Sequence, residues 1–594
     1  MTSLLDVSII CLPARYAFSA ATLGGPSFFR REVTMVRFPW LEHYDSEVSH
    51  SLKYPPTDLY SLLAQTAARF PKKAALNFLG KHLSYGKLFS LAEDLAGALA
   101  ARGIKQGDRV ALLMPNCPQF VISYLAVMRL GATAMLLNPL NVERELVFKF
   151  KDSGARTLIA LDLLSQRVNN IRAEVELDLV VYTGLQDFLP FPKNLLFPLK
   201  RALDKQMPKL AIGHDGATWS FKGLLALKAK APKVEIDPES MAALIYSGGT
   251  TGISKGIMLS HRALIANLMQ ACAWVHIGDG DSLLAVLPLF HGFGMSVCMN
   301  APLAHGGAIT LLPRFEPGQV LETIDKTKPS LFAGVPTMFI ALKEHPDIDK
   351  CDLGSLRGIF VGAAPLPLAV MQEFEQRTGA KLIEGYGLTE AVTAISCNPL
   401  GGRQKPGTIG IPFPDVEWRI VDLENGTEEM PTGQAGEIVL RGPDLMTGYL
   451  NQPELTSGTI RDGWLFTGDI GVMDEEGYIT IVDRKKDLVI VSGFNVFPSE
   501  IDEVLHQHPA VAEAVAVGLP HPTKGEFIKA FVVLKKDQQA SPEEIKAFCK
   551  KNLSAYMVPR EIEIRQELPK SMIGKILRRN LREEDEAKWA ARQG

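Results

Sequence analysis

The chain lacks the residue patterns that mark several common classes of protein. Its seven cysteines are scattered, odd in number and form no C-x-x-C pair. This spacing argues against a disulfide framework and a zinc site, and it favours a reducing compartment. The cysteines are Cys11, Cys117, Cys272, Cys298, Cys351, Cys397 and Cys549.

An excess of charge of one sign is also missing. The chain has 63 Lys and Arg against 66 Asp and Glu, a net charge of −3 over 594 residues. This balance gives no reason to expect nucleic acid as a partner. With 46% hydrophobic and 22% charged residues, the composition is that of a soluble globular protein, and the length requires at least two domains.

Two nucleotide-binding motifs are absent. No G-x-G-x-x-G follows a predicted strand, which disfavours a dinucleotide-dependent oxidoreductase. The ATPase loop G-x-x-x-x-G-K-[ST] is absent because Ser254 stands directly before Lys255. No recognisable Ser-His-Asp triad or carboxylate pair replaces them as a catalytic signature.

What is present instead is a glycine-rich loop, Tyr246–Gly256, after the strand-like run Met241–Ile245. Its glycines let backbone N–H groups surround an anion, its threonines add hydroxyl donors, and Lys255 adds a positive charge. The loop therefore predicts a phosphate site, although a Gly/Ser/Thr-rich turn taken alone is more often a plain surface loop. The predicted phosphate-binding residues are Ser247, Gly248, Gly249, Thr250, Thr251, Gly252 and Lys255.

Strand-like and helical runs alternate from Thr57 to about Gly477, which predicts parallel βαβ units and an α/β domain. Examples are Val110–Met114 before Gln119–Leu130, and Gly358–Val361 before Leu366–Thr378. After the charged segment Asp483–Asp487 the pattern becomes that of a small α+β domain, in which Ser541–Glu544 predicts a capping box at the start of a helix. We expect a disordered leader over residues 1–40, or a true start at Met35, a large domain over 41–485 and a small domain over 486–594.

Two segments invite a membrane interpretation. Leu283–Pro313 contains no Asp, Glu, Lys or Arg, but its prolines and glycines favour buried strands and turns over a membrane span. Phe188–Leu210 mixes Phe, Leu and Pro with five basic residues. It predicts either a basic amphipathic element that touches a membrane surface or a surface insertion packed on the same domain.

Eight motifs occur in the order that adenylate-forming enzymes show, and the chain resembles an acyl-CoA synthetase of that superfamily from about Thr57 to Arg579. The sequences of these motifs are most similar to those of bacterial long-chain fatty-acid–CoA ligases. Two positions depart from the usual pattern: Gly248 stands in place of Ser, and Ser254 in place of Pro, so we expect a looser loop. The motifs are Tyr246–Gly256, Leu287–Gly294, Gly362–Leu366, Glu384–Glu390, Gly463–Asp469, Asp483–Asp487, Ser492–Glu500 and Leu568–Arg579.

The resemblance implies an α/β fold in which βαβ subdomains and a distorted β-barrel form the large domain, with a mobile small domain. It also implies ATP, Mg²⁺ and coenzyme A as cofactors or co-substrates. Thr389 would contact the α-phosphate, Glu390 and Thr250 would hold Mg²⁺, and Lys575 would bridge the carboxylate and the α-phosphate. Adenine would lie among Gly362, Ala363, Ala364, Glu384, Gly385, Tyr386 and Gly387.

The remaining roles follow from the same resemblance. Asp469 and Arg484 would bind the ribose, and Lys486 would be the hinge. Ser492 and Gly493 would line the pantetheine tunnel, and His291 would shape the mouth of the acyl pocket. An Asp would stand at the His291 position in an amino-acid-activating domain, so an amino-acid substrate is disfavoured.

The implied activity needs no general base, because a carboxylic acid is already ionised at neutral pH. We expect ATP-dependent formation of acyl-AMP and pyrophosphate, then of a CoA thioester, from a long-chain fatty acid. Medium-chain or aryl acids and a carrier-loading acyl-AMP ligase remain alternatives, as does a non-catalytic binding protein. We expect a cytoplasmic protein with small-molecule substrates; peripheral contact with the inner face of the membrane and a homodimer stay open.

Overall fold

In the computed structural model, the described residues form four β-sheets and the helices that cover them. The structure describes residues 38–203, 212, 216–247, 254–491, 494–521, 525–570 and 576–593. A compact unit spans Pro39–Gly594. Its first element is a 3₁₀ helix, Pro39–His43, in which Trp40 is buried with its ring centroid 6.2 Å from that of Trp418.

The helices of the large N-terminal part are α1 (Leu59–Arg69), α2 (Tyr85–Ala100), α3 (Pro118–Arg129), α4 (Glu143–Ser153), α5 (Ser165–Ile171), α6 (Lys193–Leu203), α7 (Phe221–Ala226), α8 (His261–Val275), α9 (Ala301–His305), α10 (Pro317–Thr327), α11 (Pro336–Lys343), α12 (Leu368–Thr378) and α13 (Pro453–Thr459). Those of the C-terminal part are α14 (Pro498–His506), α15 (Pro542–Asn552) and α16 (Arg578–Gln593).

The strands up to the third sheet are β1 (Ala74–Phe78), β2 (Lys81–Ser84), β3 (Arg109–Leu113), β4 (Thr133–Leu137), β5 (Thr157–Leu161), β6 (Leu179–Thr183), β7 (Thr218–Ser220), β8 (Met241–Ser247), β9 (Lys255–Ser260), β10 (Ser282–Ala285), β11 (Ala308–Leu311), β12 (Leu331–Gly334), β13 (Gly358–Val361), β14 (Lys381–Gly387), β15 (Ala394–Cys397) and β16 (Ile411–Pro412). They are followed by β17 (Glu417–Val421), β18 (Ala435–Arg441), β19 (Gly448–Tyr449), β20 (Ile460–Arg461), β21 (Trp464–Met473), β22 (Ile479–Arg484), β23 (Val489–Val491), β24 (Phe494–Val496), β25 (Val511–His521), β26 (Gly525–Leu534) and β27 (Glu561–Arg565).

Two large sheets carry the parallel strands that the sequence predicts. One has eight strands in the order β19-β9-β8-β4-β3-β5-β6-β7, with β8 to β7 parallel along this order. The other has nine, in the order β16-β15-β14-β13-β12-β10-β11-β1-β2. Every residue of β4, β5 and β6 is buried, as expected for parallel strands covered by helices on both faces.

The remaining sheets are antiparallel or mixed. The part expected as a distorted β-barrel is a five-stranded antiparallel sheet, β17-β18-β21-β20, with β22 paired to β21. The small C-terminal sheet is β24-β23-β26-β25, with β27 parallel to β26. Sheet membership changes between Arg484 and Val489, the stretch that contains the predicted hinge Lys486. The boundaries 41–485 and 486–594 themselves stay predictions.

Several local predictions are confirmed. The runs Val110–Met114 and Gly358–Val361 are strands β3 and β13, each followed by its predicted helix. Helix α15 begins with the predicted capping box: the Ser541 hydroxyl accepts from the Glu544 N–H (3.2 Å), and the Glu544 carboxylate accepts from the Ser541 N–H (2.7 Å).

The uncharged segment Leu283–Pro313 folds inside the large domain, as its prolines and glycines predict. It forms β10, a π-helix over Gly294–Asn300, α9 and β11, and most of its residues are buried. No helix among the described residues has the length and apolarity needed to cross a membrane.

A carboxyl group is buried where the large sheets meet the β18–β19 connection. Asp444 Oδ2 accepts from the Asn267 amide nitrogen (3.2 Å), which also donates to the Ala394 carbonyl (2.7 Å). The Ser296 hydroxyl in turn donates to Asn267 Oδ1 (2.6 Å). Burial raises the pKa of Asp444 to about 7, because the charged form loses its hydration.

This buried carboxyl makes stability depend on pH. Between pH 4 and pH 7 the folded state keeps a proton that the unfolded state has released, so the free energy of unfolding falls as pH rises through that window. Between pH 5 and pH 8 we expect the free energy of unfolding to decrease by about 2–3 kcal/mol less in Asp444→Asn than in the wild type. Urea unfolding at both pH values measures this difference. Asp462→Asn, on an exposed turn, removes the same charge and should leave the fall unchanged.

Candidate active site

Three motifs far apart in the sequence meet at one edge of the nine-stranded sheet. Tyr386 lies at the end of β14, and its hydroxyl donates to Asp469 Oδ2 (2.5 Å) in β21 of the five-stranded antiparallel sheet. Asp469 Oδ1 lies 3.1 Å from Arg484 Nε, and these two residues face each other in the β21–β22 register. The predicted adenine and ribose residues are therefore brought together.

At this junction the carboxyl group of Asp469 lies next to the Arg484 guanidinium and can serve as a hydrogen-bond acceptor. Asp469 is 7% exposed, and its negative charge is matched by the adjacent Arg484 guanidinium. Burial, and then the Asp469 carboxylate, hold the pKa of Tyr386 well above its usual range, so Tyr386 remains a donor. A carboxylate has about four acceptor positions, so Asp469 can accept from a sugar diol while it still binds Tyr386.

The Thr389–Ala391 segment is a single 3₁₀ turn that ends in strained backbone. Val392 has φ 60° and ψ −61°, and the Thr393 N–H donates to the Ala391 carbonyl (2.6 Å). This is a γ-turn with positive φ, a rare conformation and a costly one for a β-branched residue. Strain of this kind concentrates at functional sites, where the surrounding packing enforces it.

The Thr389 turn is locked against the His291 loop. A Cβ on Gly292 would lie 2.2 Å from the Val392 carbonyl oxygen, so only glycine allows this approach. On the other side of the loop, a Cβ on Gly294 would lie 2.0 Å from the Pro288 carbonyl oxygen. The predicted phosphate residue Thr389 and the predicted acyl-pocket residue His291 thus belong to one packed unit.

His291 is exposed to solvent, yet the surrounding protein lowers the pKa of its imidazole by desolvation. The Phe293 N–H donates to Nδ1 (3.3 Å), which assigns the proton of the neutral ring to Nε2. The loop is held from behind by buried Asn116, which accepts from the Leu289 N–H (2.8 Å) and donates to the Leu287 carbonyl (2.9 Å). His291 is therefore a neutral, oriented group.

Glu390 is connected to the strands that flank the glycine-rich loop. The Tyr449 hydroxyl donates to Glu390 Oε1 (2.9 Å), and Tyr449 in β19 pairs with Ile257 of β9. The Lys255 ammonium lies 5.1 Å from the centroid of the Tyr449 ring. Burial, and then the Glu390 charge, raise the pKa of Tyr449, which keeps it a donor.

The base of the glycine-rich loop is closed by the residue that departs from the family pattern. The Ser254 hydroxyl donates to the Ser247 carbonyl (2.7 Å), a bond that proline could not make. Ser247 and Lys255 face each other in the β8–β9 register. The loop residues Gly248, Gly249, Thr250, Thr251 and Gly252 lie outside the described residues.

The Gly362–Ala364 segment follows β13 beside β14. Ala363 is exposed with φ 73°, and a Cβ on Gly362 would lie 3.1 Å from the Phe293 ring. The carboxylate of Glu384 accepts from the Leu366 N–H and the Gly407 N–H, both at 3.0 Å. Glu384 therefore positions the loop that the resemblance places beside adenine, while Gly385 and Gly387 flank Tyr386 in β14.

The predicted hinge lies beside a cluster of charges. Asp483 accepts from the Ser499 N–H (2.9 Å) in α14 and lies 3.3 Å from Arg578 Nη1 in α16. Lys486 is exposed, but the surrounding protein and then the Arg484 charge lower the pKa of its ammonium to about 8. The predicted residues Ser492, Gly493 and Lys575 lie outside the described residues.

Comparison with known proteins agrees with this geometry. Residues 63–450 match the AMP-binding enzyme family, and residues 500–575 match the AMP-binding enzyme C-terminal domain. The chain belongs to the AMP-binding enzyme family. It is 43% identical over 552 residues to a long-chain-fatty-acid–CoA ligase of Bacillus subtilis, covering 92% of this chain and 98% of the relative.

Solved members of the AMP-binding family have the same fold. ATP-bound MatB from Rhodopseudomonas palustris superposes with a TM-score of 0.77 at 29% identity, covering 90% of this chain and 100% of MatB. The anthranilate–CoA ligase AuaEII in complex with anthranoyl-AMP also superposes with a TM-score of 0.77, at 27% identity, covering 90% of this chain and 99% of AuaEII. The predicted fold class and family are confirmed.

The residues of this AMP-binding enzyme fit a magnesium nucleotide. Mg²⁺ is usually held by one or two carboxylates and substrate phosphates. No cluster of three or more potential metal ligands occurs in the described part of the chain. Glu390, half-buried and bonded to Tyr449, is therefore suited to supply a single carboxylate to an ion that ATP itself helps to hold.

Three residues of this site escaped the sequence reasoning: Asn116, Val392 and Tyr449. Each acts through a contact with a residue distant in the sequence or through its own backbone conformation. Tyr449 lies 59 positions from Glu390, and Asn116 lies 173 positions from Leu289. For Tyr449 the local sequence offered only the Gly448-Tyr449 pair, which is typical of an ordinary turn.

We expect Tyr449→Phe to weaken the hold on Mg²⁺ by removing the hydroxyl that positions Glu390. A hydrogen bond to a charged group contributes about 1.5–3 kcal/mol, so the Mg²⁺ concentration for half-maximal pyrophosphate release should rise about tenfold to a hundredfold. Tyr478→Phe is a matched control, because that hydroxyl donates to the Arg403 carbonyl (2.6 Å). An equal loss of rate at saturating Mg²⁺, with the midpoint unmoved, would contradict this positioning role.

Proposed function

We propose that the protein is an AMP-forming long-chain fatty acid–CoA ligase. It would join a fatty acid and ATP to give acyl-AMP and pyrophosphate, then transfer the acyl group to coenzyme A as a thioester. One observation carries the proposal. The Tyr386–Asp469–Arg484 contacts form at the end of β14, and the same chain segment continues into the turn that contains Thr389 and Glu390. The similarity to long-chain-fatty-acid–CoA ligases supports it.

In the first half-reaction the fatty-acid carboxylate attacks the α-phosphorus of ATP and pyrophosphate leaves. The residues supply orientation and charge, since the nucleophile is already ionised. Thr389 would donate to the α-phosphate and Asp469 would accept from the ribose hydroxyls. Lys255 and the loop donors, Thr250 and Thr251 among them, would hold the departing phosphates. Mg²⁺, when bound by Glu390 and Thr250, neutralises phosphate charge.

In the second half-reaction the sulfur of coenzyme A would attack the carbonyl carbon of acyl-AMP, so that the C–S bond forms, the acyl–phosphate bond breaks, and AMP and the thiol proton leave. The carbonyl carbon must be open to the thiol, so Lys575 would have to move away from it. We propose that the small domain, 486–594, turns about Lys486 relative to the large domain, 41–485. The Asp483–Arg578 contact supports a hinge here, because it joins the segment directly before Lys486 to α16 of the C-terminal part, so that Lys486 lies where the two parts meet. Ser492 and Gly493 would then line the pantetheine path.

The proposed acid is a long fatty chain. The buried, uncharged segment Leu283–Pro313 and the neutral His291 form apolar surroundings in which each buried CH₂ contributes about 0.8 kcal/mol. The similarity to the anthranilate–CoA ligase keeps an aryl acid as the second candidate. A medium-chain acid and a carrier protein as acyl acceptor are further alternatives.

We also propose a cytoplasmic location with peripheral contact at the inner face of the membrane. A homodimer stays a prediction, which sedimentation of the purified chain would check. The partners of the reaction itself are small molecules, and the small net charge of −3 supports the expectation that nucleic acid is not among them.

A panel of acids tests the proposed substrate. We expect kcat/KM for CoA thioester formation to rise with chain length from butyrate to palmitate and to be lower for benzoate and coumarate. Thioester formation with benzoate above that with palmitate would favour the aryl alternative. Pyrophosphate release without any use of coenzyme A would favour the carrier-loading alternative.

Lys575→Ala should separate the two half-reactions. Loss of one preorganised donor typically costs about 3–4 kcal/mol, so acyl-AMP formation should fall about a hundredfold to a thousandfold. Thioester formation from supplied acyl-AMP should be retained, as single-turnover assays would show. Lys570→Ala, which removes an ion pair to Glu513 (2.5 Å) in the same domain, should leave both steps within about twofold. Equal loss in both half-reactions would refute the role of Lys575.

A further inference from the structure

Helix α6 turns its apolar residues outward. We call these residues, together with the phenylalanine just before the helix, the leucine face. Their exposed fractions are 79% for Phe191, 65% for Leu195, 55% for Leu196, 58% for Leu199 and 75% for Leu203. The leucines recur at positions i, i+1, i+4 and i+8, so they form one stripe along the helix.

The opposite side of α6 faces the protein. Asn194, Phe197 and Arg201, at spacings of three and four, are partly buried, and Arg201 Nη1 lies 2.9 Å from Asp162 Oδ2. An amphipathic helix on a soluble domain normally buries its apolar stripe and exposes its charges. Here an arginine faces inward while four leucines face solvent. A contiguous apolar surface of this kind marks an interaction site.

The sequence that contains the leucine face is rich in basic residues. From Phe188 to Leu210 the sequence contains five basic residues and one acidic residue, a local charge of +4 in a chain whose net charge is −3. Lys193 is exposed at the start of α6. Leucine and phenylalanine on one face, with Lys193 exposed at the start of the same helix, match the chemistry of an anionic phospholipid surface.

The leucine face follows a strand end at the edge of the eight-stranded sheet from which the glycine-rich loop also leaves. Strands β6 and β8 are parallel, so the residues after β6, which lead into α6, emerge at the edge where the glycine-rich loop follows β8. The connection is braced by buried Gln119, whose side-chain amide donates to the Gly184 carbonyl (2.8 Å). Gln119 follows Asn116, which holds the His291 loop.

We propose that the leucine face docks the protein on an anionic phospholipid bilayer, with its apolar side chains inserted among the lipids and Lys193 against the headgroups. This inference deepens the proposed peripheral location and names the surface responsible. A bilayer holds dissolved fatty acid, so docking would bring the enzyme to the phase that contains its proposed substrate.

Flotation of the full-length protein with phospholipid vesicles tests the proposal. We expect binding to vesicles of equal parts phosphatidylglycerol and phosphatidylcholine, and weaker binding to phosphatidylcholine alone. Leu195→Ser with Leu199→Ser should lower the partition coefficient by about tenfold or more, and Lys193→Gln by about fivefold on the anionic vesicles only. Leu227→Ser, an exposed leucine after α7, is the matched control and should not change binding.

Three outcomes would overturn the proposal: no flotation of the wild type, unchanged flotation of the double leucine variant, or loss of flotation when residues 1–37 are removed. A wild-type dimer that the leucine substitutions convert to a monomer, without vesicle binding, would instead assign the face to a second copy. Thioester formation from detergent-dispersed palmitate, assayed without vesicles, reports the ligase function separately. Its failure would count against the proposed function and not against docking.

Discussion

The hydrogen bond from Tyr386 to Asp469 is the contact on which the arrangement of the site depends. It joins the end of β14 in the nine-stranded sheet to β21 in the antiparallel sheet, and Arg484 completes the junction. A nearly buried carboxylate is costly unless it is paired and hydrogen-bonded. Asp469 has both partners, and it stands where a nucleotide sugar would need an acceptor.

Backbone strain and close packing hold the reacting side of the site. The γ-turn at Val392 is unfavourable in isolation, but the contact between its carbonyl and Gly292 leaves little room to relax. Thr389, Glu390 and His291 are thereby positioned by one interlocked pair of loops. Orientation is the main requirement of a reaction whose nucleophile arrives already ionised, so rigidity at this point suits the proposed chemistry.

Sequence patterns predicted the fold well wherever the signal was local. The strands β3 and β13, the capping box of α15 and the buried nature of Leu283–Pro313 all follow from periodicity, caps and turn residues. The segment Phe188–Leu210 was ambiguous, because its composition suits both a packed insertion and a membrane-facing helix. One side of α6 packs on the same domain through Arg201 and Asp162, 39 positions apart, while membrane contact by the other side stays a proposal.

The sequence by itself determined the family, the order of the motifs and the residue types available for chemistry, since these depend on neighbouring positions. The tertiary structure alone decided that Tyr449 supports Glu390, that Asn116 braces the His291 loop and that Asp444 is buried with a raised pKa. These facts depend on burial and on contacts across 59 to 177 positions. Local sequence does not encode such contacts, because the folding of whole sheets brings the partners together.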